Sequence, residues 1–320
     1  MSKNSYVCEM SSEQADKLRH YLEEQGWELD TIQYARFRGR KDKTTVTAYE
    51  SGKVTVQGRG TEALVTFFIE PEVLKTVRFG YEDVIAKAES PDMFKPHAGI
   101  DESGKGDFFG PLVISCVYVD EWTSEKLFKG GIQDSKAIKS DKKIHELAEL
   151  VRKTVRGKYS MVRIGPAAYN RMYGTMKNVN RMLAWGHARA LENLLERVPD
   201  CERAISDQFG RKSTVERALM ERGQNIVLEQ MHKAEADIAV AAASILARDG
   251  FVTIMDELSE KAGLTLPKGA SQQVIAAAAK VLQTHGEEEF GEYAKLHFQT
   301  ANKARIKAGM PAILPSGDGN

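Results

Sequence analysis

The stretch Gly99-Ile100-Asp101-Glu102-Ser103-Gly104-Lys105-Gly106-Asp107-Phe108-Phe109-Gly110-Pro111-Leu112 decides how the rest of the chain is read. Two adjacent carboxylates close an apolar strand, a glycine-lysine-glycine turn follows, and a second apolar run begins. Carboxylates beside a flexible basic turn suit a hard divalent cation held against a phosphate. Glycines let backbone approach a ligand closely, with Lys105 beside it. Neighbouring side chains on a strand point to opposite faces. Asp101 and Glu102 can therefore share a site only where the strand ends, and Gly104 and Gly106 predict an end at Glu102. A bare Asp-Glu pair more often marks a strand-to-turn junction with solvated acids; the surrounding residues are what turn the reading towards chemistry.

Working outward, the 320 residues exceed one typical domain and predict two. Apolar residues make up 42% and charged residues 28%, the balance of a soluble globular protein. The longest apolar stretch, Ile238 to Ala247, is too short for a bilayer, and the N-terminal residues carry no apolar signal core. Cys8, Cys116 and Cys201 are odd in number and far apart, with neither zinc nor disulfide spacing, so a reducing, cytoplasmic setting is expected. Formal net charge is zero. That counts mildly against a nucleic-acid binder, although clustering of charge governs such binding more than its total.

Ser11 to Gly26 reads as an amphipathic helix capped by Ser11 or Ser12. Strand-like runs follow at Trp27 to Arg38, Thr44 to Tyr49 and Val54 to Gln57. Thr61 to Val77 looks mostly helical, with Pro71 as a break or restart. This order predicts a small α+β domain over residues 1–85, then a linker over 86–96 and a second domain over 97–320. In the second domain, strands are expected at His97 to Glu102, Leu112 to Val119, Tyr159 to Ile164, Arg203 to Ser206 and Asn225 to Leu228. Helices are expected at Lys142 to Arg156, Val179 to Arg197, Ala236 to Arg248 and Gln272 to Thr284. An opening hairpin followed by alternating strands and helices predicts a mixed α/β sheet covered on both faces.

Acids recur at element ends: Asp101 and Glu102 after the first strand of this domain, Asp207 after a later one, and Glu235 before the alanine-rich helix. Carboxylates converging from separate elements are what two divalent cations need for phosphodiester hydrolysis. Asp207 reads alternatively as a cap or turn residue. Asp237 rivals Glu235, and either acid could simply charge a helix N-terminus. Asp107 lies beyond the turn and reads as structural. His187 and His232 have no assigned role. No P-loop, dinucleotide fingerprint or serine nucleophile elbow is present.

The opening stretch strongly resembles the first motif of type 2 ribonucleases H, and specifically the ribonuclease HIII form. The ribonuclease HII version usually reads Asp-Glu-Ala-Gly-Arg-Gly; here it is Asp-Glu-Ser-Gly-Lys-Gly followed by Asp-Phe-Phe-Gly-Pro-Leu. The resemblance recurs in order at Asp134-Ser135-Lys136, Lys177 to Ala190, Ser206 to Gly210, Lys233-Ala234-Glu235, Val240 to Arg248, Leu266 to Gly269 and Ala294 to Phe298. It implies a ribonuclease H-like fold with a helical C-terminal extension. The small α+β domain before it would resemble the TATA-box-binding-protein fold. It also implies Mg²⁺ or Mn²⁺ as cofactor, with Asp101, Glu102 and Asp207 as metal ligands and Glu235 as the fourth catalytic acid. Ser103-Gly104-Lys105-Gly106 would meet the ribose 2′-hydroxyls of an RNA strand, and Lys136 a phosphate.

The implied activity is endonucleolytic cleavage of the RNA strand of RNA–DNA hybrids, leaving 3′-hydroxyl and 5′-phosphate ends. The rivals are a non-catalytic hybrid-binding protein and a ribonuclease H-like nuclease acting on DNA. No membrane, no obligate protein partner and a monomer are expected. In the first domain, Tyr34, Arg36 and Arg38 alternate with Ala35 and Phe37, which predicts one apolar sheet face and one basic, aromatic face suited to nucleic acid; the resemblance implies that this domain grips the hybrid. A solvated outer face would read identically.

Overall fold

A computed structural model describes residues 4–313 apart from 133, 134, 136, 137, 208–211, 232 and 233. Met1–Glu89 and Ser90–Asn320 form two compact units. In the first, β1 (Ser5–Glu9) and α1 (Ser12–Glu24) precede β2 (Glu28–Asp30), β3 (Ala35–Lys41), β4 (Thr44–Tyr49) and β5 (Lys53–Gly58). The strands form one antiparallel sheet in the order β1-β5-β4-β3-β2. Ser11 caps α1 in a reciprocal box with Gln14. Leu18 and Leu22 of α1 pack on Phe37, Val46, Ala48, Val54 and Val56, which is the apolar face that the alternation predicts.

Several expectations for this unit need correction. β1 is an additional strand, joined edge-on to β5. The run Trp27 to Arg38 is two strands that pair with each other. α2 (Thr61–Leu64) does not break at Pro71 but widens into a π-helix, Val65–Leu74. A wider turn moves the carbonyl four residues back out of the proline ring's way. Without bearing on the expected bounds of the linker, residues 86–96 include the end of α3 (Glu82–Glu89) and a 3₁₀ turn, Pro91–Phe94.

In the second unit the sheet runs β10-β9-β6-β7-β8. β6 (His97–Ser103), β7 (Leu112–Val119) and β8 (Tyr159–Ile164) are antiparallel neighbours. β9 (Arg203–Asp207) and β10 (Val227–Met231) run parallel to β6. The helices are α4 (Glu121–Lys129), α5 (Asp141–Val155), α6 (Pro166–Met176), α7 (Val179–Leu195), α8 (Lys212–Glu216), α9 (Ile238–Ala262), α10 (Gln272–Phe290) and α11 (Gln299–Lys307). α4, α6, α8 and α11 are helices that the sequence pattern does not announce.

α7 covers one face, over Ala98, Ile100, Ile114 and Cys116. α9 lies on the other, with Val240 against Ile205. Gly99 makes that approach possible: a Cβ there would sit 2.2 Å from Ala239 C and Val240 N. α9 runs well past the expected Arg248. It is long and apolar enough to cross a membrane by composition, yet 83% of its most apolar window is buried inside the protein, as befits a core helix. Its C-terminal half, with α10 and α11, encloses a separate core around Phe108, Phe109 and Phe290.

Candidate active site

β6 is where sequence and structure diverge most usefully. It does not end at Glu102 but continues to Ser103, paired with Val113 of β7. Asp101 and Glu102 therefore obey strand alternation and point to opposite faces. Asp101 shares the α9 side with Gly99; Glu102 shares the α7 side with Ile100. Each carboxylate is met by a different helix. On the α9 side Ser244 stands beside Asp101 and favours its charged form, and His187 Nε2 of α7 lies 2.9 Å from Glu102 Oε2.

Both acids nevertheless border one cleft of about 370 Å³ at the strand end, lined by Asp101, Glu102, Ser103, Gly104, Lys105, Gly106, Ser135, Asp207, Ser244 and Arg248. The residues singled out in the opening stretch thus meet Asp207, which closes β9 next to β6. Gly104 needs to be glycine: its φ is +91°, and a Cβ would sit 2.1 Å from Pro111 O. Gly106 faces open space, which leaves its backbone approachable. Asp107 is structural, its Oδ1 accepting Gly269 N–H at 2.6 Å. Buried Lys295 donates to Asp107 O at 2.8 Å and pins the same turn.

Asp101 is 8% exposed. Burial, and secondarily the charge of Glu102, push its carboxyl up to about 7 from the usual 3.8, while Ser244 and the Glu102 N–H pull the other way. A buried acid crowded by a second one is a site that a cation would relieve. Hard oxygen donors suit Mg²⁺ or Mn²⁺, so the donor chemistry fits. Among the described residues no three His, Cys, Asp or Glu side chains converge into a cage; the acids stand around the cleft, with Glu102 drawn towards His187.

Glu235 sits half-buried in a 3₁₀ turn, Ala234–Ala236, and is not among the cleft-lining residues. Asp237 is committed elsewhere. It caps α9 through Ala239 N and Val240 N at 2.9 and 3.1 Å, and both its oxygens lie 3.0 Å from buried His97 Nε2. Lys136 lies outside the described residues.

Sequence reasoning passed over His187, Ser135, Ser244 and Arg248. Ser135 and Ser244 share a hydrogen bond of 2.7 Å, and Arg248 Nη1 donates to Ser135 O, so α9 ties the Ser135 segment to the cleft. All four stand inside segments that carry the resemblance, which was the available signal.

The basic face of the first unit is less regular than alternation predicts. Tyr34 precedes β3 in a left-handed conformation, φ +65°, and is 71% exposed. Arg36 falls where the β3–β4 register shifts, and its guanidinium reaches Asp16 of α1 at 3.2 Å. Arg38 stays on the open face, where it pairs with Asp30 of β2 through Nε at 2.8 Å. Neither arginine is a bare cation.

A mixed sheet in this order, with acids at adjacent strand ends, defines the class: a ribonuclease H-like domain. Residues 98–301 match the family described as Ribonuclease HII, and residues 5–77 a domain of unknown function, DUF3378. The chain is 40% identical over 304 residues to the ribonuclease HIII of Protochlamydia amoebophila (strain UWE25), covering 95% of this chain and 98% of that one. It is 41% identical over 300 residues to that of Chlamydia felis (strain Fe/C-56), covering 93% and 96%. The crystal structure of Bst-RNase HIII in complex with Mn²⁺ superimposes with a TM-score of 0.64 at 30% identity, covering 95% of this chain and 99% of that one. The chain belongs to the ribonuclease HIII family, within the type 2 ribonucleases H.

Proposed function

We propose that this protein is a divalent-cation-dependent endoribonuclease that hydrolyses the RNA strand of RNA–DNA hybrids to 3′-hydroxyl and 5′-phosphate ends, as a cytoplasmic monomer. The observation that carries the reading is the single cleft bordered by Asp101, Glu102 and Asp207 together with the Ser103–Gly106 loop. Two divalent cations, when bound, supply an activated water and offset charge on the leaving oxygen. Asp101, Glu102 and Asp207 would hold them, with Glu235 as the fourth acid. Asp101, Glu102 and Asp207 come from two neighbouring strands, so their backbone positions are set by the sheet and not by loops. Backbone groups of Gly104 and Gly106 would read the 2′-hydroxyl, which DNA lacks. Arg38, with Arg36 and Tyr34, would add affinity along the hybrid backbone.

The test is cleavage of a strand-labelled hybrid with Mg²⁺ or Mn²⁺, beside duplex RNA, duplex DNA and a duplex with one embedded ribonucleotide. Cation-dependent cuts confined to the RNA strand of the hybrid are expected. Binding without cleavage would favour a non-catalytic hybrid binder, and cuts in the DNA strand would favour a DNA nuclease.

A further inference from the structure

α7 reaches the sheet closely because Gly186 has no side chain to hold it off; a Cβ there would lie 2.7 Å from Ile114 Cδ1. Ile114 is the register partner of Glu102. The next helical residue, His187, consequently meets the Glu102 carboxylate at 2.9 Å, with side chains only 1% and 13% exposed. A carboxylate only accepts, so Nε2 carries the proton. In so enclosed a place water is a poor substitute for that donor. A carboxylate has two oxygens, and a donor fixed on Oε2 sets the plane in which Oε1 points.

We propose that His187 is a positioning residue: it grips Glu102 Oε2 from the α7 side and so fixes the orientation of the carboxylate that would help hold a divalent cation in the cleft. Strand alternation sends the two acids to opposite faces, and the contact from α7 holds Glu102 where both border the same cleft. The inference rests on the ribonuclease reading of this cleft.

The experiment compares full-length wild type, His187→Gln, which keeps an amide donor, and His187→Met, which fills the space without one. Mn²⁺ affinity is read by electron paramagnetic resonance without substrate, beside hybrid affinity in EDTA. His187→Met is expected to weaken Mn²⁺ binding by about 10- to 100-fold, with hybrid affinity in EDTA unchanged, and His187→Gln to recover most of the loss. In wild type, the His187 Nε2–H proton resonance should persist at saturating Mg²⁺, a readout that holds even where a variant fails to fold. The proposal is overturned if His187→Met binds Mn²⁺ like wild type, if His187→Gln is as weak as His187→Met, or if Mg²⁺ abolishes the Nε2–H resonance. Absence of hybrid cleavage by wild type would instead sink the ribonuclease reading, while the Mn²⁺ series still decides the role of His187.

Discussion

Asp101→Asn should make the protein more stable while it abolishes turnover. Burial and the neighbouring Glu102 raise the Asp101 carboxyl from 3.8 to about 7. The folded state therefore keeps a proton that the unfolded state releases as pH rises from about 4 towards 7. Stability falls across that window, because the unfolded state binds fewer protons, and levels off above it. About three pH units at about 1.4 kcal/mol each set a ceiling of roughly 4 kcal/mol. Relaxation around the cleft should leave roughly 2–4 kcal/mol in practice. Asparagine is isosteric and keeps an oxygen for the Glu102 N–H, which Asp101 Oδ1 accepts at 2.8 Å.

Urea unfolding in EDTA should then show the variant more stable than wild type by that margin at about pH 8, and by almost nothing near about pH 4. Saturating Mg²⁺ should narrow or reverse the gap, since a ligand of the native state stabilises the form that binds it. A variant no more stable than wild type at about pH 8 in EDTA would refute the reasoning. So would a margin that does not change with pH.

The remaining predictions concern the fourth acid, the packing of α9 and the basic face. Glu235→Gln should cut turnover severely with stability within about 0.5 kcal/mol of wild type. Asp237→Ala should cost at least about 3 kcal/mol, because it removes a cap and leaves buried His97 without its carboxylate; the reverse pattern in cleavage and denaturation assays would make Asp237 the catalytic acid. Gly99→Ala should lose about 3 kcal/mol or more in chemical denaturation, since the new methyl meets backbone that cannot rotate away; a near-wild-type midpoint would show that α9 can lift off the sheet. Arg36 and Arg38 replaced together by Ala should weaken hybrid binding only severalfold and flatten its logarithmic salt slope by less than about 0.9 per arginine, because both already pair with acids. Asp30→Ala should tighten binding; unchanged affinity and salt slope in both variants would mark the face as ordinary solvated surface.

The sequence by itself determined the elements whose signal is local. Leu112–Val119 and Tyr159–Ile164 are β-branched or alternating runs of strand length, and both strands have the bounds that the pattern predicts. The Ser11 cap, the mixed α/β sheet and the succession Asp101, Glu102, Asp207 were legible for the same reason: each depends on residue type and spacing along the chain. The short helices α4, α6, α8 and α11 were not, since their faces are defined by what they pack against.

The site was only half legible. Sequence order placed acids at strand ends, but the end itself was misjudged: β6 runs on to Ser103 because β7 supplies a partner one residue further. Whether Asp101 and Glu102 face the same way, which helix meets each, and that Asp237 is spent on His97 and the first turn of α9 are matters of contacts between residues far apart in sequence. Glu102 and His187 are 85 positions apart, and His97 and Asp237 are 140 apart. A side chain's chemistry is written in its own residue type, but its partner is set by how helices seat on a sheet. Here that seating is governed by two glycines, Gly99 and Gly186, whose missing methyl groups acquire meaning only once the opposing surface is in place.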